Sequence, residues 1–164
     1  MIILQGMCYS GKTTLGAILS RKLNVPFLDS RDLFQRTYQM SETEYLRKFG
    51  RDMFCEAEKA TLSQAFGNIV LSLGGSACYY NNEMEILSKQ NKIIWLDVSL
   101  NEIEKRMRSE GGIRPIVYPE GIKTFKQLYT HRRVLYEKYF TVKVEISNTE
   151  TPRATVDNIM NVLE

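Results

Sequence analysis

The chain has 164 residues, of which 43% are apolar and 25% charged, the balance of an ordinary globular protein with enough apolar material for one core. Lys plus Arg numbers 22 against 19 for Asp plus Glu, a net charge of +3 carried by dispersed basic residues, which argues against a nucleic-acid partner. Cys8, Cys55 and Cys78 have no metal-ligand spacing and the single His131 completes no Cys/His cluster, so reduced thiols in a cytoplasmic protein are expected.

The chain begins MIILQGMCYSGKTTL. Ile2-Ile3-Leu4 reads as a buried strand, too short for a signal peptide or a membrane span. It runs into Gly6-Met7-Cys8-Tyr9-Ser10-Gly11-Lys12-Thr13, a complete P-loop signature, with Thr14 continuing into the helix. Gly6 and Gly11 let the backbone close over an anion, and the free N–H groups of the following helix point at it. Lys12 then reaches the β- and γ-phosphates of ATP, and the Thr13 hydroxyl coordinates Mg²⁺. The competing interpretation is a glycine-containing strand-to-helix turn that happens to include a lysine; the strand before and the helix after favour the phosphate site.

Lys12 to Leu23 carries Leu15, Ile18, Leu19 and Leu23 on one helical stripe, ended by Asn24-Val25-Pro26. Phe27-Leu28 is a brief second strand that delivers Asp29 to the crevice where open α/β sheets bind ligands. Asp29 and Asp32 are two acids at this strand mouth. One is suited to hold Mg²⁺ through water and the other to accept a hydroxyl proton, although acids in a first turn also cap helices. A short helix over 30–37 follows, and Ser41 to Glu44 reads as a capping box opening a longer helix, broken near Gly50, that runs to Phe66. Phe49, Phe54 and Phe66 are expected in the core.

Ile69-Val70-Leu71 is the third strand, stopped by Gly74-Gly75-Ser76 at the same crevice. A helix near 82–89 leads to Ile93-Ile94-Trp95-Leu96, the strongest central-strand run, and Ser99 with Glu102 reads as a second capping box for a helix ending near Arg108. Residues 109–123 contain three glycines and two prolines without periodicity. This is expected to be a mobile segment, with Gly111, Gly112 and Gly121 permitting motion and no apolar stripe pinning it. Thr124 and Gln127 start another helix to about Tyr139, residues 142–146 form the last strand, and Thr151-Pro152 opens a terminal helix. Alternation of strands and helices predicts a parallel sheet covered on both faces, in a single domain over 1–164.

The order of P-loop, Asp at the second strand end, Gly-Gly at the third, Arg-Pro in a loop and Arg-x-x-Tyr on a late helix resembles the shikimate kinases. Gly6 to Thr14 looks like the family's P-loop, Asp29 like the first acid of its Asp-x-Asp pair, and Gly74-Gly75 like two of its three glycines. Arg114-Pro115 is similar to its lid Arg-Pro, and Arg133 to Tyr136 to the motif that contributes a substrate arginine. The resemblance implies an α/β P-loop three-layer sandwich, a five-stranded parallel sheet of order 2-3-1-4-5 with an ATP lid at about 109–123, and a monomer. Departures fall on the acceptor side: Arg31 stands where the second acid belongs, with Asp32 one residue later, Cys55 where the Phe-Arg-x-x-Glu arginine belongs, and Ser76 at the third glycine. The family's arginine near the adenine falls at Glu150, with Arg153 close by.

What this implies is ATP-dependent phosphorylation of a small hydroxylated carboxylate, with shikimate as the named candidate. The alternatives are a kinase resembling the gluconate kinases and a non-catalytic nucleotide-binding protein. Phosphoryl transfer needs positioning and charge neutralisation, so Lys12, Mg²⁺ on Thr13 and Asp29, and Arg114 from the closing lid are the expected machinery. A carboxylate acceptor needs a charge-assisted partner that Cys55 cannot supply. Arg51, four residues earlier on the helix, or Arg31 is expected to form a two-arginine clamp with Arg133, while Arg132 is expected to be solvated.

Overall fold

The computed structural model describes residues 1–64, 66–111, 116–147 and 149–163. Five short strands, β1 (Ile2–Gln5), β2 (Phe27–Asp29), β3 (Val70–Ser72), β4 (Lys92–Asp97) and β5 (Val142–Glu145), form one sheet in the order β2-β3-β1-β4-β5. Every pairing is parallel, with Ile3 opposite Leu71 on one side and Ile93 on the other. Parallel neighbours require crossover connections, and here helices supply them. These are α1 (Lys12–Leu23), α2 (Ser30–Tyr38), α3 (Glu42–Leu62), α4 (Asn81–Gln90), α5 (Leu100–Ser109), α6 (Phe125–Tyr136) and α7 (Pro152–Leu163), with a 3₁₀ turn at Ala77–Tyr79. The expected fold class and strand order are those observed.

Side chains alternate across the sheet, so adjacent residues serve opposite layers. Ile3, Leu71 and Ile93 pack with Leu62, Met84 and Leu87 on one face. Leu4, Val70, Ile94 and Leu96 pack on the other against Leu15 and Leu19 of α1 and Val156 and Ile159 of α7. A third cluster joins Trp95, Ile103, Leu128 and Tyr136 under β4, and a smaller one joins Phe34, Phe54, Ala57 and Val117 beneath α2 and α3. The central position of β1 matters for function. Its carboxyl end opens between the ends of β3 and β4, the switch point where such sheets bind ligands.

The helix starts are set by local chemistry. Reciprocal capping boxes form at Ser41–Glu44 and at Thr124–Gln127. The box expected at Ser99 is half-formed: its hydroxyl accepts from the Glu102 N–H, but the Glu102 carboxylate pairs instead with Arg106 Nε at 2.8 Å. Gly50 breaks α3 with φ 79 and ψ 175, a conformation suited to glycine. α3 stops at Leu62 rather than Phe66, and α6 at Tyr136 rather than Tyr139.

The expectation for 109–123 is corrected in its second half. Val117 is buried among Phe34, Phe54 and Ala57, and its carbonyl accepts a bond of 3.0 Å from Arg132 Nη2. Ile116, Tyr118 and Ile122 lie against the cluster around Trp95 and Tyr136. Apolar residues therefore do pin this stretch, and periodicity could not show it because the partners are distant in sequence. Gly112, Arg114 and Pro115 lie outside the described residues. No helix among the described residues is long and apolar enough to cross a membrane.

Candidate active site

The loop after β1 is shaped by steric necessity. Gly6 has φ 148, and a Cβ there would lie 2.7 Å from the Leu96 carbonyl, so only glycine lets the chain leave β1 past β4. Tyr9 and Gly11 also have positive φ, 63 and 91, which curls the loop back into α1. Met7 and Tyr9 bury their side chains with Trp95, Ile103 and Leu128, anchoring the loop to the core through positions the signature leaves open. Their contribution to a nucleotide site is thus through the backbone. Lys12 is 8% exposed. Its ammonium donates to the carbonyls of Gly6 and Met7 at 2.9 and 2.6 Å and to Ser10 Oγ at 3.3 Å.

This loop forms one end of a cavity of about 340 Å³ whose lining includes Cys8 to Thr14. Arg106 joins it from α5, donating from Nη1 to the Tyr9 carbonyl at 3.2 Å while paired with Glu102. Sequence reasoning missed Arg106. The only signal was its i,i+4 spacing from Glu102, which reads as an ordinary surface pair. At the same end lie Ile146, Ser147, Glu150, Pro152 and Thr155. Arg153 does not line the cavity and is exposed on α7, so the proposed stand-in for the family's arginine is not brought to the site. Glu150 occupies that place, bonded to Thr155 and Asn158.

Asp29, also in the lining, ends β2 and caps α2. Its Oδ1 accepts the Arg31 N–H at 3.0 Å, and its Oδ2 accepts the Thr13 hydroxyl at 2.7 Å. Arg31 grips the same carboxylate through Nε and Nη2, and Nη2 also donates to Thr13 Oγ1 at 3.0 Å. Burial alone raises the Asp29 pKa, but the bonds from Arg31 and Thr13 and the charge of Arg31 bring it below the usual carboxylate value. Asp29 thus caps α2 and lines the cavity at once. Asp32 is a correction: it is exposed on the first turn of α2 and does not line the cavity, one helical residue being a 100° turn away from its neighbour.

The acceptor end of the lining is built by Glu42, Phe54, Glu58, Gly74 to Ser76, Val117 and Arg132, and Gly75 meets the loop backbone at Cys8. Gly74 and Gly75 are there because of close approach: a Cβ on Gly74 would lie 2.6 Å from Glu58 Oε1, and one on Gly75 2.9 Å from Arg132 Nη1. Ser76 and Tyr80 donate to the buried Glu58 carboxylate, and the Tyr136 hydroxyl donates to the Gly75 carbonyl at 2.8 Å. Burial pushes Glu58 up despite those bonds and the Arg132 charge. Burial likewise lifts the Cys78 thiol to about 12, so it stays protonated.

The arginine assignments change. Arg132, expected to be solvated, is 3% exposed, with Nε donating to Tyr79 Oη at 3.1 Å and Nη2 to the Val117 carbonyl. Arg133, expected at the substrate, turns instead to the Asp97 carboxylate and the Tyr129 hydroxyl and lies over the Trp95 ring. Consecutive helical residues face different ways, and the motif was read one residue out of register. Arg51 is exposed and outside the lining, so it does not replace the arginine missing at Cys55. Arg31 is in the cavity, but its guanidinium is engaged by Asp29 and Thr13. Glu42, overlooked in the sequence, lines the cavity; burial first, then the like charge of Glu58, pushes its carboxyl up to about 8 against the attraction of Arg31.

A five-stranded parallel sheet of this order, with a glycine-rich anion loop between its first strand and first helix, defines a P-loop kinase fold. The family profile described as shikimate kinase matches residues 9–164, and the chain belongs to that family. A shikimate kinase of Clostridium botulinum is 34% identical over 144 residues, covering 86% of this chain and 85% of that one. Human threonine synthase-like 1 is 32% identical over 165 residues, 99% of this chain, which spans only 22% of that protein's length. Among solved structures, shikimate kinase from Aquifex aeolicus is 26% identical with a TM-score of 0.80, covering 99% of this chain and 96% of its own.

Proposed function

We propose that this chain transfers the γ-phosphoryl group of ATP to a hydroxyl of a small hydroxylated carboxylate, with shikimate, the family's acceptor, as the first candidate. One observation carries the reading: the Lys12 loop, Asp29 and the buried guanidinium of Arg132 line a single cavity. The loop N–H groups and the start of α1 bind phosphates, and Lys12, already directed at the loop's own acceptors, offsets charge on the transferred group. Asp29 is kept ionised, the state that accepts a proton from an incoming hydroxyl. Arg132 offers the charge-assisted partner for a carboxylate.

Thr13 Oγ1 and Asp29 Oδ2 are hard oxygen donors 2.7 Å apart, a set that suits Mg²⁺. Bound there, the ion would neutralise phosphate charge. The Arg31 guanidinium lies on both oxygens, so the side chain must yield one face of them to a metal; it is 39% exposed and has room to do so. Arg114 as a lid arginine is part of the proposal.

A coupled ADP-release assay with shikimate, quinate and gluconate tests the reading. Acceptor-dependent turnover that Lys12→Ala abolishes supports it. The engagement of Arg31 with Thr13 and Asp29 favours a second reading, a nucleotide-binding protein without turnover; ATP binding with no release of ADP for any hydroxy acid would select that one.

A further inference from the structure

The acceptor end of the cavity holds three carboxylates, Asp29, Glu42 and Glu58, against two guanidiniums, Arg31 and Arg132. Most of this charge is already matched. Arg31 makes three side-chain bonds to Asp29 and Thr13. Glu58 receives Ser76 and Tyr80 and stands against Gly74, so it braces the glycine loop. Arg132 spends Nε on Tyr79 and Nη2 on Val117, leaving Nη1 over Gly75 at the cavity wall. Glu42 differs from all of these. Among the described residues its carboxylate has no hydrogen-bond or ion-pair partner, although it lines the cavity and is half-buried.

We propose that Glu42 and Arg132 select an acceptor carrying an ammonium as well as a carboxylate, a small hydroxylated α-amino acid; this deepens the kinase reading above and rests on it. Burial, and for Glu42 also the charge of Glu58, makes both acids resist ionisation, so Glu42 keeps its proton and lacks a partner until a cation meets it. An ammonium on Glu42 supplies the missing counter-charge and hydrogen-bond donors, while the carboxylate meets Arg132. The absence of a second carboxylate-binding arginine at Cys55 then has a counterpart: the site has exchanged an anion contact for a cation contact. In the reaction the acceptor oxygen forms the new bond to the γ-phosphorus, the bond from that phosphorus to the β–γ bridging oxygen breaks, ADP leaves, and the hydroxyl proton passes to the Asp29 carboxylate.

The experiment compares pairs that differ only in the amino group, L-serine with 3-hydroxypropionate and L-homoserine with 4-hydroxybutyrate, beside shikimate, by ADP release and by calorimetry on the nucleotide-bound protein. At least one amino acid is expected to exceed its deaminated partner by on the order of 10-fold or more in kcat/KM, because a built polar contact discriminates strongly against its absence. Glu42→Gln is expected to erase that preference through the acceptor KM while leaving the ATP KM unchanged, and Glu42→Asp to restore part of it. Turnover of shikimate or of the deaminated acids without such preference, or a preference that survives in Glu42→Gln, overturns the amino-acid assignment and leaves the kinase reading standing. ATP binding without turnover of any compound overturns both.

Discussion

The two ends of the cavity are built by different means. The phosphate end is made of backbone: positive φ at Tyr9 and Gly11, a glycine at position 6 that admits no Cβ, and a lysine donating to the loop's own carbonyls. The acceptor end is made of side chains from α2, α3, the glycine loop after β3, the stretch around Val117, and α6. A backbone site binds what every member of a family shares, a polyphosphate. A side-chain site can be changed one residue at a time, and Arg31, Cys55 and Ser76 are the positions where this chain departs from the family pattern it resembles.

Lys12→Ala is the substitution that breaks the phosphate end most completely. Loss of turnover by roughly 10²-fold or more is expected in the ADP-release assay, the scale of one electrostatic contact to the transition state. Because the ammonium also satisfies three loop acceptors, melting should show destabilisation of about 1–3 kcal/mol as well. Near-normal turnover would remove the phosphate end from the mechanism.

Arg132→Lys probes the acceptor end at its centre. Lysine keeps the charge but cannot bond Tyr79 and Val117 at once while presenting a third nitrogen, so the acceptor KM should rise on the order of 10-fold with the ATP KM little changed. Equal rises in both constants would show that the two ends are not separable.

This contrast also explains what the sequence disclosed. The P-loop, the strand order and Asp29 depend on local spacing, and periodicity with one motif was enough to place them. Arg132 against Arg133 depends on one helical step, 100° of rotation, which a motif match does not resolve when two arginines are adjacent. Val117 and Glu42 matter through Arg132 and Glu58, each several helical turns or a loop away, so nothing in their immediate neighbourhoods marked them. Asp32, Arg51 and Arg153 had suitable chemistry and nearby positions, yet all three project outside the cavity lining.

The charge imbalance at the acceptor end should be visible without any substrate. Burial first, then the charge of Glu58, pushes Glu42 up to about 8 in the folded protein against about 4.5 unfolded, with Arg31 in partial opposition. Between those values the folded state holds a proton that the unfolded state gives up, so this group makes stability fall as pH rises from about 4.5 to about 8, and level off above. Glu42→Gln should flatten that part of the melting-temperature profile and be more stable than the wild type at pH 9. Superimposed profiles would mean that Glu42 ionises freely in the folded protein.

The smallest effect is expected from Arg133→Ala, and it sharpens the comparison by marking where the site ends. Arg133 is bonded to Asp97 and Tyr129 and stacked over Trp95, and does not line the cavity. Its removal leaves Asp97 still paired with Lys143 at 2.9 Å, so no buried charge is stranded. Destabilisation of about 1 kcal/mol or less should follow, as for other partly exposed ion pairs. Acceptor and ATP KM should both stay within roughly 2-fold, since a contact that touches neither ligand moves neither constant. A selective 10-fold rise in acceptor KM would return the substrate arginine to position 133 and require α6 to present its other face to the cavity, which would break the bonds from Arg132 to Tyr79 and Val117 together.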